Sequence, residues 1–317
     1  MLGVLKQEHS VKCALKYLIP TSCIRAKLEI EALQKIGKHL NVIELLTAVR
    51  HQDQVVLVFP YIEHDTFYSI IDEMNLIDIR FYMHSLLTGL AYIHAKKIIH
   101  RDIKPSNFLY KKELKTGKLI DFGLAHLQTD NGSKKETTTA FKKPRKEISH
   151  LKCWKRKHLC CHDYLSVCDT CVMRRRQVVS RAGTPGYRAP KILIQYQQQT
   201  NAIDVWSAGI ILLSLLSQRY PFFKAFNDCY ALAEIVQTFG SKQCVQAAKH
   251  LGISLYVSEN FPGLHLKIIC SKHHFHSKQE YVDVLHEEFI FLLRDMLCVN
   301  PLCRISAAQA LSSKAFH

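Results

Sequence analysis

The chain has 317 residues, of which 48% are hydrophobic, and it carries a formal net charge of +16 at pH 7. A chain of this length and composition is neither too short nor too polar to bury a hydrophobic core, and it can form two lobes. We expect neither a signal peptide, because Lys6 and Glu8 interrupt the first ten residues, nor a membrane span, because the apolar run 209–216 is too short. The positive charge favours acidic partners: nucleic acid, acidic lipid, or acidic and phosphorylated peptides.

The N-terminal part, to about Pro60, is rich in predicted strands and contains one predicted helix. Strands are expected around Ala14–Lys16 and over the apolar run Val55–Phe59, with a helix near 24–33 between them. A longer helix is predicted over Ile77–Ile93, where apolar residues recur at helical spacing.

The C-terminal part is mainly helical in the same analysis. An amphipathic helix is predicted over Glu287–Leu297, and the capping-box pattern Ser306-Ala-Ala-Gln309 predicts the start of a terminal helix. The sequence therefore predicts an α+β protein with a strand-rich N-terminal part and a helical remainder.

The motif between these parts carries groups suited to phosphoryl transfer. Residues 100–107 read His-Arg-Asp-Ile-Lys-Pro-Ser-Asn, and Asp-Phe-Gly begins at Asp121. Asp102 can accept the proton of a substrate hydroxyl, and Lys104 can neutralise charge on a moving phosphoryl group. Asn107 and Asp121 offer hard oxygen ligands to Mg²⁺. The complete string at this spacing excludes a chance match.

This pattern resembles the eukaryotic protein kinase family, and the resemblance extends over nearly the whole chain. It implies a bilobal kinase fold, with residues 1–60 as a partial N-lobe and residues 61–317 as the C-lobe. It also implies ATP and Mg²⁺ as cofactors and serine or threonine as the acceptor.

The resemblance further implies an ATP site in the N-lobe. Lys16 would reach the α- and β-phosphates with Glu29 as its partner on the predicted helix. Glu31 is the rival partner, but it is two positions away and faces another side of the helix. The other implied nucleotide contacts are Ala14, Leu109 and the backbone of the hinge residue Ile62.

An insertion is predicted over residues 124–181, because Asp121 and Pro190 lie about 70 residues apart, a longer separation than the family usually has. Its first half is polar, and we expect disorder there. Its second half contains Cys161, Cys168 and Cys171 at the spacing of zinc ligands.

A structural Zn²⁺ would fold a segment that is too small for a core of its own. The fourth ligand would be His158 or Cys160. The alternative is a set of buried or unpaired thiols. Basic runs in the same insertion would serve as a solvated loop, a nuclear import signal or a docking site for an acidic partner.

The segment Gly-Thr-Pro-Gly-Tyr-Arg-Ala-Pro, which ends at Pro190, resembles the end of a kinase activation segment and implies that Thr184 lies at the catalytic centre. The next residue is Lys191, where the family has a glutamate paired with an arginine that matches Arg304. We expect two like charges in a partly buried site, unless Lys191 turns to solvent. A second insertion is predicted near residues 240–285.

The insertion with its cysteines, together with Lys104-Pro-Ser-Asn-Phe-Leu109, resembles the replication-origin-firing kinases of the cell-division cycle, the catalytic subunits of DDK complexes. This resemblance implies a nuclear enzyme, with a cytoplasmic pool as an alternative. It also implies a required regulatory subunit and acidic or phosphorylated substrates in replication proteins such as replicative helicase subunits. Direct nucleic-acid binding and membrane association are not expected.

The stretch before Lys16 contains Gly3 alone and no Gly-x-Gly-x-x-Gly pattern. We therefore expect the first strand and the phosphate-covering loop of the family to be missing, either in a shortened chain or in a variant that binds ATP weakly. The missing loop favours one alternative to an active kinase, a pseudokinase or scaffold that binds a regulatory subunit. The basic, cysteine-rich insertion is the only support for another, a zinc-dependent nucleic-acid-binding protein.

Overall fold

The computed structural model describes residues 2–4, 12–18, 23–52, 54–128, 183–196, 198–270 and 280–317. Its N-terminal part contains an antiparallel sheet with the strand order β1-β2-β4-β3. The strands are β1 (Leu2–Val4), β2 (Lys12–Leu18), β3 (Thr47–His51) and β4 (Gln54–Pro60). The predicted strands lie in β2 and β4, whereas β1, which pairs Gly3 with Cys13, was not predicted.

One helix, α1 (Cys23–Ile36), connects β2 with the rest of the N-terminal part. Its buried residues recur every three or four positions, so a single face of the helix is buried: these are Glu29, Ala32, Leu33 and Ile36. The opposite face leaves Ile24 and Leu28 exposed, one helical turn apart. The helix therefore buries one acidic side chain and exposes two apolar ones.

The C-terminal part is mainly helical, as predicted. Its helices are α2 (Phe67–Ile70), α3 (Leu76–Ala95), α4 (Pro190–Leu193), α5 (Ala202–Ser217), α6 (Asp228–Phe239), α7 (Ser241–His250), α8 (Leu266–Cys270), α9 (Glu280–Met296) and α10 (Ala307–Leu311). The prediction over Ile77–Ile93 is confirmed by α3, which starts at a capping box of Asn75 and Asp78. The predicted capping box of Ser306 and Gln309 also forms.

The core of this part is built around α5. All of its residues are buried, and it contacts α3 on one side and α9 on another. A helix that is buried on every side and mostly apolar lies at the centre of a fold. The hydroxyl groups of Ser207, Ser214 and Ser217 each donate to the carbonyl four residues earlier, so burial leaves them hydrogen-bonded.

Short strands position the loop and the Asp-Phe-Gly segment. These strands are β5 (Ile98–Ile99), β6 (Phe108–Lys111), β7 (Thr116–Leu119) and β8 (His126–Leu127). β6 and β7 form an antiparallel hairpin, and β5 pairs with β8. Residues 100–107 therefore lie between β5 and β6, and residues 121–123 lie between β7 and β8. In the described part of the chain, no helix has the length and hydropathy of a membrane span.

The expectation that Lys191 could turn to solvent is wrong. Its side chain is only 3% exposed, and Arg304 is 7% exposed. Lys191 lies in the short helix α4, every residue of which is buried, because α4 packs against α6. Lys191 and Arg304 are therefore more deeply buried than the partly buried site that we expected from the sequence.

Candidate active site

The loop 100–107 is held by a buried carboxylate from α5. Asp204 is 1% exposed, and its two oxygens accept hydrogen bonds of 2.8 Å from the backbone N–H groups of His100 and Arg101. Arg101 has a φ of +72°, a left-handed conformation that is strained for a residue with a side chain. The two hydrogen bonds stabilise this strained backbone directly before Asp102.

The side chain of His100 connects this loop with the Asp-Phe-Gly segment. It is fully buried, its Nε2 lies 2.9 Å from the carbonyl oxygen of Ile120, and its ring packs edge-on against Phe122 at 4.9 Å. Burial lowers the pKa of His100, so the ring is neutral. Because Phe122 points into the core, its neighbour Asp121 faces outward with a φ of +63°.

Asp102 lies at the centre of a cluster of polar side chains. The Thr184 hydroxyl donates to its Oδ1 at 3.0 Å, and Asn107 Nδ2 donates to its Oδ2 at 3.0 Å. Lys104 Nζ lies 2.9 Å from the same Oδ2 and 3.0 Å from the Thr184 hydroxyl. Charge-assisted hydrogen bonds of this kind hold the carboxylate in one orientation. The fold thus brings Thr184 to Asp102 from 82 residues away.

The amide of Asn107 is oriented by a second hydrogen bond. Its Nδ2 also donates to the carbonyl oxygen of Asp102 at 2.8 Å. The nitrogen of the amide therefore faces the loop, and its oxygen lies on the opposite side, where it can act as a metal ligand.

Lys16 lies between two carboxylates. Its Nζ is 2.6 Å from Glu29 Oε1 and 2.7 Å from Asp121 Oδ1. Burial by itself would lower the pKa of Lys16, but the two carboxylates outweigh burial and raise it above its usual value. Lys16 is therefore a cation. Glu31 instead pairs with Lys27 at 3.7 Å on the surface, so Glu29 is the residue of α1 that contacts Lys16.

Gly123 makes this close approach possible. A Cβ at this position would lie 3.2 Å from Asp121 Oδ1, 3.3 Å from Glu29 Oε2 and 3.5 Å from Lys16 Nζ. Its backbone N–H donates to Asp121 Oδ1 at 3.2 Å. A larger residue would push apart the three charged groups that meet here.

Comparison with known proteins agrees with this geometry. The model of the protein kinase domain matches residues 3–145 and 164–316 of the chain. The chain belongs to the protein kinase family. The interruption of the match, between residues 145 and 164, falls inside the predicted insertion.

Its relatives include proteins named serine/threonine protein kinases, one of them from Drosophila melanogaster that is 30% identical over 86% of the chain and 53% of that protein. The chain is 32% identical to the mouse and human cell division cycle 7-related protein kinases, over 84% and 82% of its length. It spans 68% of the mouse protein and 66% of the human one. It is also 37% identical to a probable cell division control protein 7 homolog of Encephalitozoon cuniculi, over 78% of the chain and 69% of that protein. This chain is accordingly a serine/threonine protein kinase that resembles this branch.

The donor set of the kinase site fits ATP and Mg²⁺. Mg²⁺ is usually held by one or two protein oxygens together with phosphate oxygens, and Asn107 and Asp121 can supply two. The described residues contain no group of three or more His, Cys, Asp or Glu side chains that would hold a metal without a phosphate ligand. The cationic Lys16, with 34% of its side chain exposed, is accessible to an anionic phosphate.

The three residues implied as further nucleotide contacts lie on separate elements. Ala14 is on β2 opposite Phe59 of β4, and Leu109 is on β6. Ile62 is the second residue after β4, and its carbonyl oxygen lies 2.9 Å from His64 Nδ1. Their contact with a nucleotide stays a prediction.

Two residues of this site were not identified as functional from the sequence. Asp204 is the acidic residue of a helix that is otherwise almost entirely apolar, and a lone acid in such a helix is a signal for a buried and satisfied carboxylate. His94, at the end of α3, places its Nε2 2.9 Å from Asp204 Oδ2. No local pattern connects His94 with a residue 110 positions away.

The predicted zinc ligands lie outside the described residues. These are His158, Cys160, Cys161, Cys168 and Cys171. The zinc site therefore stays a prediction from spacing alone, and so does the disorder expected in the first half of the insertion beyond Gln128.

Proposed function

We propose that this chain is a cell-cycle kinase that phosphorylates serine or threonine beside acidic or phosphorylated residues in replication-initiation proteins, such as replicative helicase subunits. The observation that carries its catalytic part is the cluster in which Lys104, Asn107 and Thr184 all bind the carboxylate of Asp102. The cell-cycle part rests on the relatives, whose names place them in cell division.

The chemistry follows from the groups in place. Asp102 accepts the proton of the substrate hydroxyl, and Lys104 balances the charge that develops beside it. Lys16, fixed by Glu29, orients the phosphates of the nucleotide. Bound Mg²⁺ would neutralise phosphate charge, with Asn107 and Asp121 as its ligands.

Two features support acidic substrates and a nuclear location. The chain carries a net charge of +16, and basic side chains pair with carboxylates and phosphates. Basic runs of the kind that import receptors bind lie within the predicted insertion. A cytoplasmic pool is the alternative location.

A regulatory subunit is proposed to dock on α1. This helix carries Glu29 on its buried face and the apolar residues Ile24 and Leu28 on its exposed face, at 73% and 41% exposure. A partner that covers Ile24 and Leu28 would fix the helix and thereby hold Glu29 against Lys16. A Leu28→Asp variant should lose activation by the subunit, while Gln34→Asp, on the same helix, should keep it.

A structural zinc ion is proposed in the insertion, held by Cys161, Cys168 and Cys171 with His158 or Cys160 as the fourth ligand. Its support is ligand spacing in a short segment. Elemental analysis after dialysis against a chelator should find one zinc per chain. A Cys168→Ser/Cys171→Ser variant that keeps its full zinc content would exclude this site.

A pair of matched peptides tests the proposed reaction. One contains a serine followed by aspartates, and the other replaces each aspartate with lysine. The wild type should phosphorylate the acidic peptide faster, and Asp102→Asn should phosphorylate neither. No transfer to either peptide by the wild type, with its regulatory subunit present, would instead favour the scaffold hypothesis. Transfer to both at equal rates would refute the acidic preference alone.

A further inference from the structure

A largely buried ion pair joins the segment 183–190 to the start of α6. Arg188 Nη1 donates to Asp228 Oδ1, and the two side chains are only 14% and 12% exposed. Asp228 is the first residue of α6, where the positive end of the helix dipole also stabilises a carboxylate. Removal of one partner would leave an uncompensated charge in a poorly hydrated site, so the pair favours one fixed arrangement.

The guanidinium of Arg188 also binds the backbone of its own segment. Its Nη2 donates to the carbonyl oxygen of Gly183, while its Nη1 binds Asp228. A planar guanidinium presents its donors at a fixed separation, whereas a lysine ammonium is a single point charge on a flexible stem. Arg188 therefore connects α6 with the peptide group that links Gly183 to Thr184.

Gly183 lies directly against the loop 100–107. Its φ is +95°, and a Cβ at this position would lie 2.8 Å from the carbonyl oxygen of Arg101. Glycine is suited to both the conformation and the close approach. The carbonyl of Gly183 and the backbone nitrogen of Thr184 belong to one planar peptide group. A hydrogen bond to that carbonyl therefore also orients the start of Thr184.

Thr184 carries this constraint to the catalytic carboxylate. Its hydroxyl donates to Asp102 Oδ1 at 3.0 Å. Asp102, Gly183, Thr184 and Arg188 also line one small cavity. The contacts therefore run without interruption from Asp228 on α6 to the residue that we propose as the proton acceptor.

The turn that follows Thr184 has further anchors. Ser207 of α5 donates to the carbonyl oxygen of Tyr187 at 2.8 Å, and the turn 185–187 contacts α6. Gly186 packs so closely that a Cβ there would lie 2.9 Å from the carbonyl oxygen of Phe223. Loss of the ion pair alone should therefore shift Thr184 rather than unfold the segment.

We propose that Arg188 and Asp228 are positioning residues for phosphoryl transfer, which act through the Gly183 carbonyl to hold the Thr184 hydroxyl against Asp102. This inference rests on the role of Asp102 in the proposed function. A displacement of about 1 Å near the reacting groups can cost about 10²-fold in rate, so even a small shift of Thr184 is measurable.

Single variants measure the contribution of the pair. Asp228→Asn keeps the shape of the side chain but removes its charge, so kcat for the acidic peptide should fall by about tenfold, with KM for ATP unchanged. Asp228→Glu keeps the charge and should retain most of the rate. Asp295→Asn, which removes the partner of Arg294 in an exposed pair, is the matched control and should leave kcat unchanged. An unchanged kcat in Asp228→Asn would overturn the proposal.

A double-mutant cycle distinguishes positioning from a general loss of stability. If Asp228 acts through Thr184, Asp228→Asn should lower kcat in the wild type but have no further effect in Thr184→Ala, which lacks the hydroxyl. Single-turnover assays with excess enzyme reach the low rates of these variants. Equal fold-losses in the two backgrounds would mean that the ion pair does not act through Thr184, and they would overturn the proposal.

Asp102→Asn separates a failure of this inference from a failure of the proposed function. Lost transfer in Asp102→Asn, together with equal fold-losses in the cycle, would refute the positioning role and leave the proposed function intact. Transfer that survives in Asp102→Asn would refute the proposed role of Asp102 and, with it, this inference. We expect lost transfer in Asp102→Asn and an effect of Asp228→Asn that disappears in Thr184→Ala.

Discussion

Lys16 and Lys191 are two lysines in opposite electrostatic settings. Lys16 has two carboxylates within 2.7 Å, whereas in the described part of the chain Lys191 has the cation Arg304 beside it and no carboxylate partner. Burial opposes the charged form of both side chains, yet the pKa of Lys16 is raised and that of Lys191 is lowered. The charge of a partly or fully buried lysine therefore depends on its neighbours and not on burial alone.

A cation is needed to bind phosphates, and Lys16 is kept cationic by Glu29 and Asp121. Lys191 has no such carboxylate in the described part of the chain, and its cationic form is disfavoured by burial and by Arg304. Substitutions in the catalytic site that contains Lys16, or at Lys191, test these two settings separately.

The largest effect on the reaction rate is expected at Asp102, which takes part in the phosphoryl transfer itself. Asp102→Asn removes the proton acceptor but keeps the shape of the side chain, so the rate of phosphoryl transfer should fall by about 10²–10⁴-fold while nucleotide binding persists. Single-turnover kinetics and nucleotide titration measure the two properties. Asp72→Asn, at an exposed position, is the control. A rate within threefold of the wild type would remove Asp102 from its role.

The pair of Lys16 and Glu29 is broken by Glu29→Gln. Lys16 then loses a charged partner at 2.6 Å, and kcat/KM for ATP should fall by about 10²-fold, because a misplaced phosphate ligand is costly. Glu31→Gln, two positions along the same helix, removes an exposed pair and should leave kcat/KM unchanged. Similar losses in the two variants would mean that the helix, and not the ion pair, is responsible.

The substitution Lys191→Glu replaces the cation near Arg304 with a carboxylate that can pair with it. This variant should be more stable than the wild type by about 1–3 kcal/mol, because the new carboxylate would pair with Arg304 in a buried site. Denaturant unfolding measures the difference. Lys191→Gln removes the charge without reversing it and should fall between the two. A lower unfolding midpoint for Lys191→Glu would show that the acid cannot reach Arg304.

The smallest effect is a pH dependence of that difference. The folded state lowers the pKa of Lys191 below its ordinary value of 10.5, so the unfolded state binds more protons between the two values and wild-type stability rises with pH there. The advantage of Lys191→Glu should therefore shrink as the pH rises towards 10.5. A difference that stays constant up to that pH would mean that Lys191 is not destabilised as a cation.

Much of this protein could be predicted from the sequence because the deciding information is local. Asp102, Lys104, Asn107 and Asp121 lie within about twenty residues, and a short chain segment with defined turns brings such residues together. Periodicity predicted a helix over Ile77–Ile93, which the structure extends to Leu76–Ala95, and the capping-box pattern of Ser306 and Gln309 predicted one helix start, because both features depend on neighbours within one or two turns.

Other features were decided only by the tertiary structure, since they depend on residues far apart in the chain. The hydrogen bond from the strained backbone at Arg101 to Asp204 spans 103 residues, and the contact of His94 with Asp204 spans 110. The burial of Lys191 was also not predicted, because a lysine in a short helix has no local signal of burial. Its environment is set by the packing of α4 against α6 and by Arg304, and only the folded chain brings these together.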